Sequence, residues 1–386
     1  MTLETEPIYF PILRAKTGEE DALGWLSPVG HLLARPVLDF PELTPKNRHE
    51  LERFFAEKIH EIATSWGTAH EICLDFSRYG PDECVSDGRH VVEYAFELAR
   101  QARLMCLPTV GPLSLRGPGT DYFEAVSRIA ARDGRGVALR IPTEDFVTPT
   151  MLTGVLDETL ALISAAPGHV DVYLDAGSLF GMPPGSTDEF SLMQSLQAAA
   201  EVTHALGYRR TIFVASSMPD SMVRHKKGQV MHVPRVEFRL WRQIVAERGP
   251  SFLGFGDYGV IYPTQAESTA RRTPPSRVRV TTDNEHLLYK GGPKEIRAIS
   301  GQAVKDGALS DAAHSWGAQA IRDCATGRGG AGNASNWVAR DMNMHIENTI
   351  AAIAREPAVK ARKISFEAIG TTGAPWLQDS LAFPHD

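Results

Sequence analysis

Apolar residues along this chain gather in short runs: "IYFPILRAK", "RPVLDF", "EICLDF", "MCLPTV", "GVALRI", "VDVYLDA", "RTIFVA" and "SFLGFGD". They begin near residues 8, 35, 71, 105, 136, 170, 210 and 251. Bounded runs of this length are the mark of buried strands. Between most of them the period changes. From Pro45 to Trp66, Leu51, Phe54, Phe55, Ile59 and Ile62 fall on one stripe of an amphipathic helix. Thr44-Pro45 supplies an N-cap and a proline at the first helical position. Thr148-Pro149 repeats that signal before Met151 to Ile163, and further helices are predicted over Glu189 to Leu206 and Arg235 to Glu247.

Strands that alternate with helical crossovers predict an α/β fold with a parallel sheet. Closing that sheet into a TIM-like (β/α)8 barrel leaves no edge strand, and an open doubly wound sheet is the alternative. After "FGDYG" the pattern breaks. "RVRVTTD" and "HLLYKGG" predict an antiparallel hairpin from Arg277 to Gly292. Helical segments follow from Val304 to Cys324 and from Ser335 to Ala354, joined by the glycine-rich "TGRGGAGN". The expected organisation is a barrel over residues 1–258 and, over 259–386, a β-hairpin with a helical extension packed on it.

Strand parity assigns the charged residues. In "EICLDF", Ile72, Leu74 and Phe76 face the helices, so Cys73 and Asp75 point inward. In "VDVYLDA", Tyr173 and Asp175 point inward, and in "GVALRI" so does Arg140. Asp39 shares the inward parity of Val37, Lys16 that of Ile12 and Arg14, and Asp257 closes the eighth strand. Lys16, Asp39, Asp75, Arg140, Asp175 and Asp257 thus fall at the C-terminal ends of six strands, the rim where barrels of this class keep their chemistry. Acids and bases around such a rim can simply neutralise one another, or they can hold a polar ligand. The four aspartates lack the spacing of a metal centre, and neither a metal nor a cofactor is expected.

Composition narrows the classes. Hydrophobic residues make up 43% and charged residues 23% of 386, a soluble globular balance. A formal charge of −7 argues against retention on nucleic acid by overall charge. Cys73, Cys84, Cys106 and Cys324 show no CxxC spacing and suit a reduced compartment. No signal-peptide pattern and no apolar run of about 18 residues occurs, so a cytoplasmic protein without membrane contact is expected.

Weaker motifs read as scaffold. "SSMPDSM", Ser216 to Met222, is a strand-to-helix loop whose hydroxyls could cradle an anion. "GRGGAGN", Gly327 to Asn333, lacks the lysine and preceding strand of a phosphate loop and reads as a helix connection. "RRTPPSRVR", Arg271 to Arg279, reads as a solvated linker, with nucleic-acid contact the minority reading, and His345 in "MNMHIENT" reads as a core histidine with its hydrogen bonds met.

"PILRAKTGEEDAL", "FGDYG", "LLYKGG", "GNASNW" and "MNMHI", in this order over nearly the whole chain, resemble the beta protein family of prophages and satellite phages. The family usually shows lysine where Arg14 stands, and often a histidine pair where Met344-His345 stand. The resemblance implies a defence or immunity context, since the member that gave the family its name counteracts the killing activity of a cassette partner. It supplies no catalytic residues, so the candidate site rests on parity. Two readings follow. One is an immunity component that binds a protein partner from the same cassette, or an anionic nucleotide-like ligand, at the barrel mouth. The other is a hydrolase for an anionic, phosphate-bearing substrate held by Lys16 and Arg140, with rim acids as general base or metal ligands.

Overall fold

The computed structural model describes residues 6–360 except 45, 46, 48, 81, 82, 112–119, 222–224, 264–275 and 311–313. Pro45 of the first cap, Met222, Arg271 to Pro275 of the arginine-rich segment and everything after Lys360 lie outside the described residues.

Eight parallel strands form one sheet in chain order: β1 (Ile12–Arg14), β2 (Val37–Asp39), β3 (Glu71–Asp75), β4 (Met105–Val110), β5 (Val137–Pro142), β6 (Val170–Ser178), β7 (Arg210–Ser216) and β9 (Gly254–Asp257). The ring closes just before β1. Tyr9 bridges Phe255 in parallel, and the Phe10 amide donates to the Phe255 carbonyl at 2.9 Å. Glycine makes that approach practicable, because a Cβ on Gly256 would stand 2.3 Å from the Phe10 carbonyl oxygen. The fold is a TIM-like barrel.

The crossovers are helical: α1 (Thr17–Gly24) and α2 (Pro28–Leu33), then α3 (Leu51–Trp66), α4 (Val91–Gln101), α5 (Thr120–Asp133), α6 (Pro149–Ile163), α7 (Thr187–Ala205) and α8 (Val236–Arg248). Their starts follow local chemistry. Thr148 accepts from the Met151 amide at 3.3 Å with Pro149 next in the chain, and Ser186 accepts from Glu189 at 3.2 Å. The outer face of the wall packs on these helices through rings, as where Phe55 of α3 meets Phe40 at 6.1 Å and Phe76 at 6.0 Å.

The hairpin of β10 (Arg277–Thr281) and β11 (Glu285–Lys290) is antiparallel, as its pattern predicts. It gains a third strand, β8 (Val230–Pro234), which the crossover between β7 and β9 supplies. The predicted helix from Val304 to Cys324 is in fact two, α9 (Ile296–Lys305) and α10 (Trp316–Thr326). They are followed by the long α11 (Ala334–Arg355) and the short α12 (Pro357–Lys360). Met342, Ile346 and Ile350 of α11 belong to the barrel's core, whereas Trp337 and Met344 join a second core with the hairpin, α9 and α10. One helix therefore welds the two cores together.

Candidate functional site at the barrel mouth

Register places the inward residues in layers. At the N-terminal end, buried Arg35 donates to Asp171, with Arg209 on the same carboxylate at 2.7 Å. Above it, Cys73 lies 3.9 Å from the Tyr173 hydroxyl, and the Phe10 ring meets Tyr173 edge-on. The C-terminal layer is the mouth.

Arg140 organises that layer. Its Nε donates to Asp175 at 2.7 Å, its Nη1 to Asp75 at 3.0 Å, and its Nη2 to the Tyr258 hydroxyl at 2.7 Å. Tyr258 in turn donates to Asp175. The free oxygens of both carboxylates are also occupied: Asp75 accepts from the Ser77 amide at 2.7 Å, and Asp175 from that of Gly177 at 2.9 Å. Asp39 lies on the same side and accepts from Nε and Nη2 of Arg78, at 2.9 and 3.0 Å. Beside Asp75 in register stands Thr109, whose buried hydroxyl has no hydrogen-bond partner.

The electrostatics follow from burial and pairing. Burial disfavours the charged Arg140, but Tyr258, Asp175 and Asp75 outweigh it and hold the guanidinium charged. Burial lifts the Tyr258 phenol well above its usual range, so it stays protonated. Burial also raises the Asp39 carboxyl, and the Arg78 hydrogen bonds offset part of that rise.

The structure therefore brings Asp39, Asp75, Arg140 and Asp175 together. Lys16 stands two residues past β1, half-buried at the N-cap of α1, where its charge bears on Glu19. Asp257 goes elsewhere, which corrects the expectation of a mouth residue. It pairs in register with Ala215, while Gly254 and Gly256 pair with the inward Ile212 and Val214. The odd positions of β9 thus face the helices, and Phe255 packs on Phe238 and Trp241 of α8. There Asp257 accepts from Tyr9, from His345 Nε2 at 3.0 Å and from Arg235 at 3.3 Å. Burial would raise this carboxyl, but His345, then Arg235 and Tyr9, hold it well below the usual carboxylate range. His345 is a core histidine with its hydrogen bonds met, its Nδ1 lying 2.9 Å from the Thr281 hydroxyl.

A family model described as Beta protein matches residues 9–351. The chain belongs to the Beta protein family. No curated protein matches it. Among solved structures it is similar to the carboxyl transferase domain of Rhizobium etli pyruvate carboxylase with 3-bromopyruvate. Identity is 10%, the TM-score is 0.37, and the match covers 92% of this chain and 49% of that one. The same domain with oxamate and biotin matches at 10% identity and a TM-score of 0.26, over 90% of this chain and 62% of that one. The chain spans about half to three-fifths of the length of these structures. The barrel assignment rests on strand order and register.

Within this Beta protein family member, parity found the mouth's strand residues and missed those that loops deliver. Arg78 follows β3 by three residues, and Tyr258 directly follows β9 in "FGDYG". A search for tyrosine or arginine within three residues of each strand end would have found both. Among the described residues, no group of three or more His, Cys, Asp or Glu side chains is placed to hold a metal ion.

Proposed function

We propose that the protein is a phage-immunity component that recognises an acidic group at the barrel mouth, on a cassette partner protein or an anionic nucleotide-like ligand, without turnover. One observation carries this reading. The guanidinium of Arg140 is fixed by residues from three separate parts of the wall, yet a fifth of its side chain (20%) stays open to solvent. Three of its five N–H donors are engaged, so an orienting frame is complete while donors remain for an incoming carboxylate or phosphate. A charge ordered in advance loses little entropy on binding. The unpartnered Thr109 hydroxyl beside Asp75 offers a further polar contact.

Binding is favoured over hydrolysis by the state of the acids. Asp39, Asp75 and Asp175 are all held in hydrogen bonds to arginine, and the Tyr258 phenol is kept protonated. A general base needs a carboxylate free to take a proton.

The test combines calorimetry and cells. Inorganic phosphate and a nucleoside diphosphate are titrated into wild type and Arg140→Ala, and both proteins are tested for protection of cells against the cassette's killing protein. Loss of a charged-group hydrogen bond should weaken binding by roughly tenfold or more. If the Arg140→Ala protein is folded and protects cells as well as wild type, the reading fails.

A further inference from the structure

The mouth residue Tyr258 sits between two anchors. Its neighbour Asp257 is fastened outside the barrel wall, and Asp257 Oδ1 also accepts from the Gly259 amide at 2.8 Å. That bond closes a tight turn around Tyr258. Gly259 has a φ of +60°, and a Cβ there would stand 2.2 Å from the Met342 sulfur of α11. The helix thus lies directly on the turn. From the same helix, one turn on, His345 Nε2 lies 3.0 Å from both oxygens of Asp257. On the other side of the wall, the Tyr258 hydroxyl accepts from Arg140 and donates to Asp175, and the Arg140 guanidinium sits 5.6 Å from the Tyr258 ring centre.

We infer that His345 is a positioning residue for the mouth: by holding Asp257, it fixes the Asp257–Gly259 turn, and through Tyr258 it sets the orientation of Arg140. This rests on the proposal that Arg140 is the recognition group. The chain of contacts has one covalent link, Asp257 to Tyr258, and hydrogen bonds at either end, so displacement of α11 must displace the mouth tyrosine. The other charged and titratable groups facing Asp257 fit a fixed anchor. Arg235 bonds the carboxylate and Tyr9 donates to it, while Glu237 lies 3.7 Å from Arg235. His286 shares the Thr281 hydroxyl with His345, at 3.1 Å. Each is buried, so solvent does not screen the anchor. The extension that carries α11 thereby becomes a handle on the mouth, and a partner that shifts α11 would alter recognition at Arg140.

The experiment reads Arg140 directly and needs no ligand. Phenylglyoxal modification of Arg140 is followed by peptide mass spectrometry in the full chain, for wild type, Tyr258→Phe, His345→Leu, His345→Gln and the Tyr258→Phe/His345→Leu double variant. Tyr258→Phe and His345→Leu should each speed labelling by about fivefold, as loss of one restraining hydrogen bond allows. The double variant should be no faster than either single variant, which is the non-additivity of residues acting in series. His345→Gln restores an N–H donor toward Asp257 and should return the rate toward wild type, an outcome that packing alone does not give. Should His345→Leu fail to fold, Met342→Ala carries the test, since it frees Gly259 and leaves every ion pair intact. Wild-type labelling in the folded His345→Leu or Met342→Ala protein, or multiplied effects in the double variant, overturns the inference. Failure of phosphate to bind wild type would strike the proposed function and leave this result standing.

Discussion

Arg140 donates to the hydroxyl of Tyr258 at 2.7 Å across the barrel mouth, although the two residues lie 118 positions apart in the chain. The bond joins the fifth strand of the ring to the turn after its last strand. Because Tyr258 also donates to Asp175, its hydroxyl is shared by a cation and an anion. Tyr258→Phe keeps the ring and removes both bonds. We expect a loss of about 1–3 kcal/mol in stability, the range for stranding a buried polar group. Urea denaturation checks this, and an unchanged midpoint would mean that the hydroxyl is not bound to Arg140.

The seam of the barrel makes a sharper claim about backbone approach. Gly256→Ala brings a Cβ to 2.3 Å from the Phe10 carbonyl and should destabilise the protein by about 1–3 kcal/mol or more. Gly154 is the contrast. It lies within α6 with open space around it, so Gly154→Ala should stabilise by roughly 0.5–1 kcal/mol. Thermal melts of the two variants should move in opposite directions. Equal shifts would contradict closure at this seam.

Two buried carboxyls set a pH dependence. Burial pushes Glu20 up to about 7, with Lys58 offsetting part of the rise, and burial likewise pushes Asp341 up to about 7 against the pull of Arg279. Each is protonated in the folded chain at pH values where the unfolded chain has released the proton. Their contribution is therefore complete below about pH 4 and is lost as pH rises through the folded-state values. The Glu20→Gln/Asp341→Asn variant should gain stability relative to wild type as pH rises from about 5 to 8. A difference in urea midpoint that stays constant over this window counts against the buried, protonated carboxyls.

The sequence made the wall legible and left the mouth half-read. Strand parity placed Cys73, Asp75, Arg140, Tyr173 and Asp175 on the inner face because a parallel barrel repeats a period of two without interruption. Asp257 was placed only by its position at the strand's end, because glycine occupies both inward positions of β9, Gly254 and Gly256, and a residue without a side chain leaves no apolar alternation to count. The pairing of Arg78 with Asp39 comes from a loop, where no period applies. The bond between Asp257 and His345 spans 88 residues and two cores, which no local pattern encodes. His345 itself was legible as a satisfied histidine, and its partners were not.

We propose recognition of an acidic group by Arg140 at the barrel mouth. Affinity purification from the native host, with mass spectrometry of both co-purifying proteins and bound small molecules, tests it most directly when wild type, Arg140→Ala and Lys227→Ala are compared. Lys227 is an exposed lysine paired with Glu295 in the segment leading to the three-stranded sheet. An anionic small molecule or a partner protein should be bound by wild type and Lys227→Ala and lost from folded Arg140→Ala. The same bound set on all three proteins would contradict it, and the charged mouth would then serve the barrel's own stability.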